Sequence, residues 1–347
     1  MLLTIIIPSY NEVRHIKDAI NSCLYQEKID LKQVEIIIAD GNSTDGTQEA
    51  VKSMMDGNPI KLIQNQFRYM SHGFNKALTI ASGKYIMVMS GHSILKSDYI
   101  CNALNLMIKY DTQCVSGSMD TIQENYLGKI IGISQSTFFG VGNSIFRTNV
   151  KEGKYVDTGV FGLYDSNVFL QIGGMDEELI KNQDDEFNYR LIQNGGKIWL
   201  DPSIKSKYFC RRTLIKLFKQ YFYYGFYKVR VFQKRGAVQR KGQLIPAIFV
   251  ISFLLSVILK VLTNNSIYFI LIFGIYLTIN FIFSFISIIN RKEKYLSIPI
   301  LQCSYLILHF SYGSGFIFGL MYFIRKWNKR ATLDHNFDKV YFAKNNS

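Results

Sequence analysis

Acidic residues almost vanish from the last two-fifths of this chain. Residues 205–347 hold 22 Lys and Arg against 3 Asp and Glu, a net of +19, whereas residues 1–204 hold 18 against 23, a net of −5. The overall +14 is therefore a sum of two unlike parts. Nucleic-acid binding would explain a basic chain in general, but not basic clusters that bracket long apolar runs; those point to a membrane surface. Cysteine pairs are also missing: Cys23, Cys101, Cys114, Cys210 and Cys303 form no C-x-x-C. That argues against a disulfide scaffold and a cysteine zinc site, and for a reducing compartment. Repeats and low-complexity stretches are absent, and 48% hydrophobic residues exclude a disordered tail or a fibre. The first seven residues lack a basic n-region and Pro8 closes the apolar run, so no cleavable signal is expected and the first 200 residues are read as cytoplasmic.

What the tail section does have is length without charge. Residues 266–289 are 24 consecutive uncharged residues, enough at about 1.5 Å each to span a hydrocarbon core of about 30 Å. Residues 245–262 are nearly as apolar, broken only by Lys260. Residues 296–324 form a third run of 29. Residues 205–241 carry twelve Lys and Arg and no acid, and Arg291, Lys292 and Lys294 follow the second run, so both flanks belong on the cytoplasmic side. A single crossing by 296–324 would carry Arg325, Lys326, Lys329 and Arg330 outside. The expectation is therefore a re-entrant pair of half-helices that breaks near Gly313. A channel or transporter is disfavoured, since the apolar section shows neither ion pairs nor an inverted repeat.

The first 200 residues alternate short β-branched runs with helical stretches. Strands are predicted at Thr4–Ile7, Glu35–Ala39, Lys61–Ile63 and Lys84–Met89, with helices at about 12–26, 45–56, 71–81 and 98–109. That rhythm predicts an α/β domain with a mostly parallel sheet. Ligands of such sheets sit at the carboxyl ends of the strands, so the loops after Ile7, Ala39 and Met89 should hold the chemistry. The boundaries expected are a cytoplasmic α/β domain over 1–204, a basic aromatic interfacial helix over 205–241, membrane helices over 242–330 and a polar tail over 331–347.

Those loops read Pro8-Ser9-Tyr10-Asn11-Glu12 and Asp40-Gly41-Asn42-Ser43-Thr44-Asp45-Gly46-Thr47. Further on stand Gly73-Phe74-Asn75-Lys76-Ala77, Ala81-Ser82-Gly83-Lys84, Gly173-Gly174-Met175-Asp176-Glu177 and Gln183-Asp184-Asp185-Glu186-Phe187-Asn188-Tyr189-Arg190. In this order the motifs resemble family 2 glycosyltransferases of the GT-A fold. Asp157-Thr158, Gln220-x-x-x-Tyr224-Gly225 and His309…Tyr312-Gly313 resemble the succinoglycan (exopolysaccharide) type. The resemblance implies a membrane-anchored inverting hexosyltransferase at a bacterial inner membrane. It implies a nucleotide-sugar donor, a UDP-sugar by the uracil-reading residues below, and a polyprenyl-linked glycan acceptor, within reach of polysaccharide assembly partners. A polyprenyl-phosphate glycosyl transferase, and a catalytically impaired partner subunit of an assembly complex, stay open as alternatives.

Residue roles follow from that likeness. Pro8 rigidifies the loop start, Tyr10 covers a uracil face, Glu12 accepts from ribose hydroxyls and Asp40 accepts the uracil imide N–H. Asp45 caps the next helix or touches the nucleotide. Where the family places acidic metal ligands this chain has Ser90-Gly91-His92; His92 keeps one ligand position for Mn²⁺ or Mg²⁺, while Ser90 removes a charge. Asp184 takes the position of the general base, with Gln183 in place of a Glu and Asp185 supplying a charge of the same sign. Without the motif, an Asp-Asp-Glu run is only a solvated helix start. Glu186 and Arg190 are spaced i,i+4 to pair. Lys76, Arg211, Arg212 and Gln220 are candidates to meet the leaving diphosphate, and 205–241 equally suits anionic headgroups. Asp157 belongs to the acceptor side or to a strand-end turn.

Overall fold

The computed structural model describes residues 1–123, 125–142, 145–147, 150–210, 213–238 and 240–327. Contacts divide the chain into two compact units, 1–120 with 149–208, and 121–148 with 209–330. The expected polar tail, 331–347, lies outside the described residues.

The first unit is built on a nine-stranded sheet: β1 (Leu3–Ser9), β2 (Val34–Asp40), β3 (Ile60–Gln64), β4 (Tyr85–Val88), β5 (Ser93–Leu95), β6 (Cys114–Ile122), β7 (Lys154–Val156), β8 (Leu163–Asp165) and β9 (Ile198–Phe209). The order is β3-β2-β1-β4-β8-β6-β9-β5, with β7 on β9. β1 and β2 are buried along almost their whole length, which is why LTIIIPS and VEIIIAD are unbroken apolar runs and not alternating ones. β1 pairs in parallel with β2 and β4, and β2 with β3. Beyond β4 the pairings β4–β8, β6–β8, β7–β9 and β5–β9 are antiparallel. The sheet is therefore mixed where a mostly parallel one was expected. The strand–helix rhythm covers only the first 90 residues, and strands of three residues such as β7 and β8 leave no periodic trace.

Helices α1 (Ile16–Leu24), α2 (Thr47–Lys52), α3 (Met70–Leu78) and α4 (Tyr99–Lys109) alternate with the parallel strands. α1 starts later than the apolar pattern suggests, because the Glu12 and Val13 amides are taken by Thr47 and Asp45. Next come α5 (Tyr126–Ser134) and α6 (Phe138–Val141) of the second unit, then α7 (Asn167–Ile172) and α8 (Gln183–Gln193) of the first. Phe74, Phe169 and Phe187 are fully buried in a row, their ring centroids 5.7 and 5.2 Å apart, and lock α3, α7 and α8 together. At the amino ends of the strands, buried Glu35 accepts from the Thr4 hydroxyl, the Ser82 amide and hydroxyl, and Lys61 Nζ at 2.6–2.8 Å. Burial alone would raise its pKa, but these donors win and hold the carboxyl below the usual range. The Ala81-Ser82-Gly83 motif thus shapes the end of the sheet away from the loops after β1 and β2.

The second unit holds α9 (Leu214–Arg235), α10 (Ile245–Thr263), α11 (Ile267–Asn290) and α12 (Ile298–Tyr322). α10, α11 and α12 are each long and apolar enough to cross a membrane. The break expected near Gly313 does not exist: α12 is one continuous helix of 25 residues. Gly313 serves close approach instead, since a Cβ there would overlap the Pro246 carbonyl of α10. α5 and α6, within the stretch read as soluble, belong to this unit. Lys129 pairs with Glu293, Arg291 donates to Ser136 Oγ at 2.8 Å, and Phe139 stacks on Phe283 with centroids 4.6 Å apart.

Candidate active site

The parallel register sets Ser9 beside Asp40, so the loops after β1 and β2 leave the sheet together. They are laced to each other. Asn11, at φ 54°, accepts the Thr44 amide on its side chain and donates its own amide to Ser43 Oγ, both at 2.9 Å. Asp45 accepts the Val13 and Thr47 amides at 3.1 Å and the Thr47 hydroxyl at 2.5 Å. Burial opposes its charge, but these donors, led by the Thr47 hydroxyl, depress its pKa. The cap residue of α2 is Gly46, and Asp45 stands just before it, satisfying the first helical amide. Asp40 is 1% exposed and accepts the Ser43 amide, the Ser43 hydroxyl and Gln48 Nε2 at 2.9, 2.5 and 2.8 Å. Pro8, opposite Ala39, lies beyond the β1–β4 register, where its missing N–H costs no ladder bond.

Arg68 is the cation that sequence reading missed. Its guanidinium lies 4.4 Å from the centroid of Tyr10, and its backbone, at φ 66°, presses on Gly41, where a Cβ would come within 3.0 Å of Arg68 Cα. The available signal was a basic residue between the end of β3 and the start of α3. Lys76 points elsewhere: its Nζ donates to the Gln64 carbonyl at 2.7 Å, beside a pocket of about 220 Å³ that also touches Phe67, His72 and Glu177.

After β4, Ser90-Gly91-His92 turns onto Glu12. His92 Nδ1 donates to Glu12 Oε1 at 2.7 Å, Ser90 Oγ lies 3.0 Å from the same nitrogen, and the ring meets Tyr208 edge-on at 4.8 Å. A Cβ on Gly91 would sit 3.2 Å from Glu12 Cγ. Glu12 and His92, expected on ribose and metal, are thus brought together on each other. Among the described residues no three His, Cys, Asp or Glu converge on a point that could hold a cation. One imidazole, one carboxylate and one hydroxyl bonded among themselves do not fit a protein-held divalent ion.

Asp184 and Asp185 occupy the first turn of α8, where the helix dipole favours negative charge. The turn is held from three sides. Gln183 Nε2 donates to Met70 Sδ at 3.0 Å. One turn further on, Asn188 donates to Thr158 Oγ1 at 3.2 Å and accepts from the Tyr164 hydroxyl at 2.9 Å, which ties the Asp157-Thr158 strand end to α8. Burial first, then neighbouring Cys114 and the Asp184 carboxylate, push the Tyr164 pKa up and keep it a donor. The expected Glu186–Arg190 pair is present, bidentate at 2.8 and 3.0 Å and buried. Arg190 also donates to the Ile172 carbonyl and, at 2.7 Å, to that of Gly174. Asn75 clamps the same turn, donating to the Met175 carbonyl and accepting its amide, both at 2.8 Å.

Gln220 belongs to the second unit, where its Nε2 donates to the Tyr224 hydroxyl at 3.0 Å. Arg211 and Arg212 lie outside the described residues.

Residues 4–173, which carry the loops after β1, β2 and β4, match the model of glycosyl transferase family 2. The chain carries a domain of the family 2 glycosyltransferases. Its first unit carries the mixed α/β sheet of their GT-A fold. A relative from Methanococcus voltae is the dolichyl N-acetyl-alpha-D-glucosaminyl phosphate 3-beta-D-2,3-diacetamido-2,3-dideoxy-beta-D-glucuronosyltransferase. It is 29% identical over 330 residues, covering 92% of this chain and 97% of that one. The succinoglycan biosynthesis protein ExoA of Rhizobium meliloti is 29% identical over 245 residues, covering 70% and 73%. Among solved structures, TarS of S. aureus is similar at 15% identity with a TM-score of 0.49, covering 91% of this chain and 55% of that one.

Proposed function

We propose that this glycosyltransferase moves a hexose from a UDP-sugar to a lipid-linked glycan, with inversion at the anomeric carbon, from the cytoplasmic side of the membrane. The observation that carries the reading is the convergence of Tyr10, Arg68 and Asp40 at the carboxyl ends of β1 and β2, where α/β sheets take ligands. Tyr10 offers a ring face to the base. Asp40 uses three of the roughly four acceptor positions of a carboxylate inside its turn, which leaves one for an imide N–H. Arg68 supplies positive charge to the diphosphate. Asp184 accepts the proton of the acceptor hydroxyl as its oxygen attacks the anomeric carbon; the bond to the diphosphate oxygen breaks and the nucleoside diphosphate leaves. Asp157 and Asp185 flank that acceptor side.

A lipid-linked acceptor is supported by the three apolar helices and by the name of the Methanococcus relative, which acts on a dolichyl-phosphate-linked sugar. The test is UDP release by the purified full chain in detergent, with Asp184→Asn alongside. Saturable release that depends on a lipid-linked glycan and is lost in the variant supports the reading. Release that survives Asp184→Asn points to an acceptor already ionised, such as a polyprenyl phosphate. Absence of UDP-sugar binding overturns it.

A further inference from the structure

The contacts of α12 lie in an unexpected place. A third spanning helix antiparallel to α11 would run beside the full length of the α10–α11 pair. Here the contacts that fix its direction gather at the half of the pair bearing the basic flanks. Gly313 meets Pro246, and Phe310 meets Phe253. Gln302 accepts from Asn280 at 3.0 Å, Tyr305 meets Ser287 at 3.2 Å, and His309 meets Tyr276 at 3.0 Å. Eight residues of α12, from 302 to 309, therefore stay against one stretch of α11, 276 to 287, and by Gly313 the helix has reached the first turn of α10. That is a helix crossing the pair, not one running along it.

From Tyr312 on, α12 follows α9 side by side, with Phe316 still in one buried cluster with Ala247 in the first turn of α10. A Cβ on Gly225 would overlap the Tyr312 carbonyl, and one on Gly315 the Phe222 carbonyl. Gln233 Nε2 donates to the Phe323 carbonyl at 2.8 Å, and Arg230 to that of Lys326 at 3.2 Å. Meanwhile the far half of the pair is bare, with Val261 and Leu262 each 76% exposed.

We propose that only α10 and α11 cross the membrane, and that α9 and α12 lie together across their cytoplasmic-side ends as a platform on the anionic leaflet. This rests on the membrane reading above and goes beyond it by fixing which helices cross and what the remaining pair binds. The lipid is indicated by continuity with the crossing pair and by charge. Exposed Tyr223, Phe318, Met321 and Tyr322 share the α9–α12 pair with the exposed cations Lys216 and Lys219, in a segment, 205–241, that has no acid. The platform also removes the conflict over Arg325 and Lys326, which stay on the same side as Arg291.

The test is sidedness in sealed vesicles of phosphatidylethanolamine and phosphatidylglycerol. It uses the full chain with Cys101 and Cys303 replaced by Ser and single cysteines at Asn264→Cys, Lys292→Cys or Arg325→Cys. An impermeant maleimide should label Lys292→Cys and Arg325→Cys from one side and Asn264→Cys only from the other. Arg325→Cys labelled together with Asn264→Cys overturns the platform while leaving the membrane reading intact. All three labelled from one side removes the crossing pair, and the membrane reading falls with the proposal. A nitroxide at Phe318→Cys should report a shallower depth than one at Ile258→Cys; equal depth overturns the proposal even if sidedness agrees.

Discussion

At the scale of single residues, the proposed site divides into groups assigned to substrate and groups that hold those in place. Asp184→Asn keeps shape and removes the proposed base, so kcat for a hydroxyl acceptor should fall by about 10²–10⁴-fold with donor KM little changed. Steady-state kinetics decide this, and an unchanged kcat excludes Asp184 as the base. Arg68→Ala should act on the other parameter. It removes one charge and one ring contact near the donor, each worth on the order of 1 kcal/mol, so donor KM should rise about 5–30-fold. Asp184 could be proposed from the sequence because a run of acids at fixed spacing before an Arg is a strong local sign. Arg68 could not, because its value comes from lying over Tyr10, 58 positions earlier in the chain. The Glu12–His92 bond was equally invisible, since nothing in either loop announces which end of the other it faces.

At the scale of elements, the motif residues that identify the family are mostly braces. Asn75, Gly174, Glu186 and Arg190 touch one another across α3, the 173–177 turn and α8, and together fix where the first turn of α8 stands. Arg190→Met leaves Glu186 buried and unpaired, so thermal unfolding should show a loss of about 3–5 kcal/mol. The double change Glu186→Leu with Arg190→Met should recover most of it. A single variant as stable as wild type would refute the bracing role. Glu35 makes a pH-dependent brace at the other end of the sheet. Its folded pKa is depressed, so its stabilising contribution is complete above the unfolded value of about 4.3 and is lost as pH falls through the lower folded value. Glu35→Gln should therefore melt earlier than wild type at pH 7, with the gap closing below about pH 4. A gap that persists in acid would show that shape, not charge, matters there. The parallel half of the sheet was readable because buried parallel strands are long and apolar; β5, β7 and β8, at three residues each, were not.

At the scale of the molecule, the separation of charge and apolar length sets how the protein is held. A basic surface alone binds anionic lipid through screened interactions, and about 1 M salt, with a Debye length near 3 Å, releases such a protein. The 19 and 24 residues of α10 and α11 present large apolar side chains along most of their outer faces, including Ile258, Val261, Ile270 and Ile275. Their attachment depends on burying that surface, at about 25 cal/mol for each Å², and salt does not weaken it. Membranes washed in high salt and then in alkaline carbonate should therefore retain the full chain, and only detergent should free it. Neutralising Lys216 and Lys219, both exposed on the first turns of α9, should leave this retention unchanged. It should lower the affinity of detergent-solubilised protein for phosphatidylglycerol vesicles at low salt, since each cation near such a surface contributes about 1 kcal/mol. Release by salt alone would mean that the cations carry the attachment and that α10 and α11 pack against protein rather than lipid.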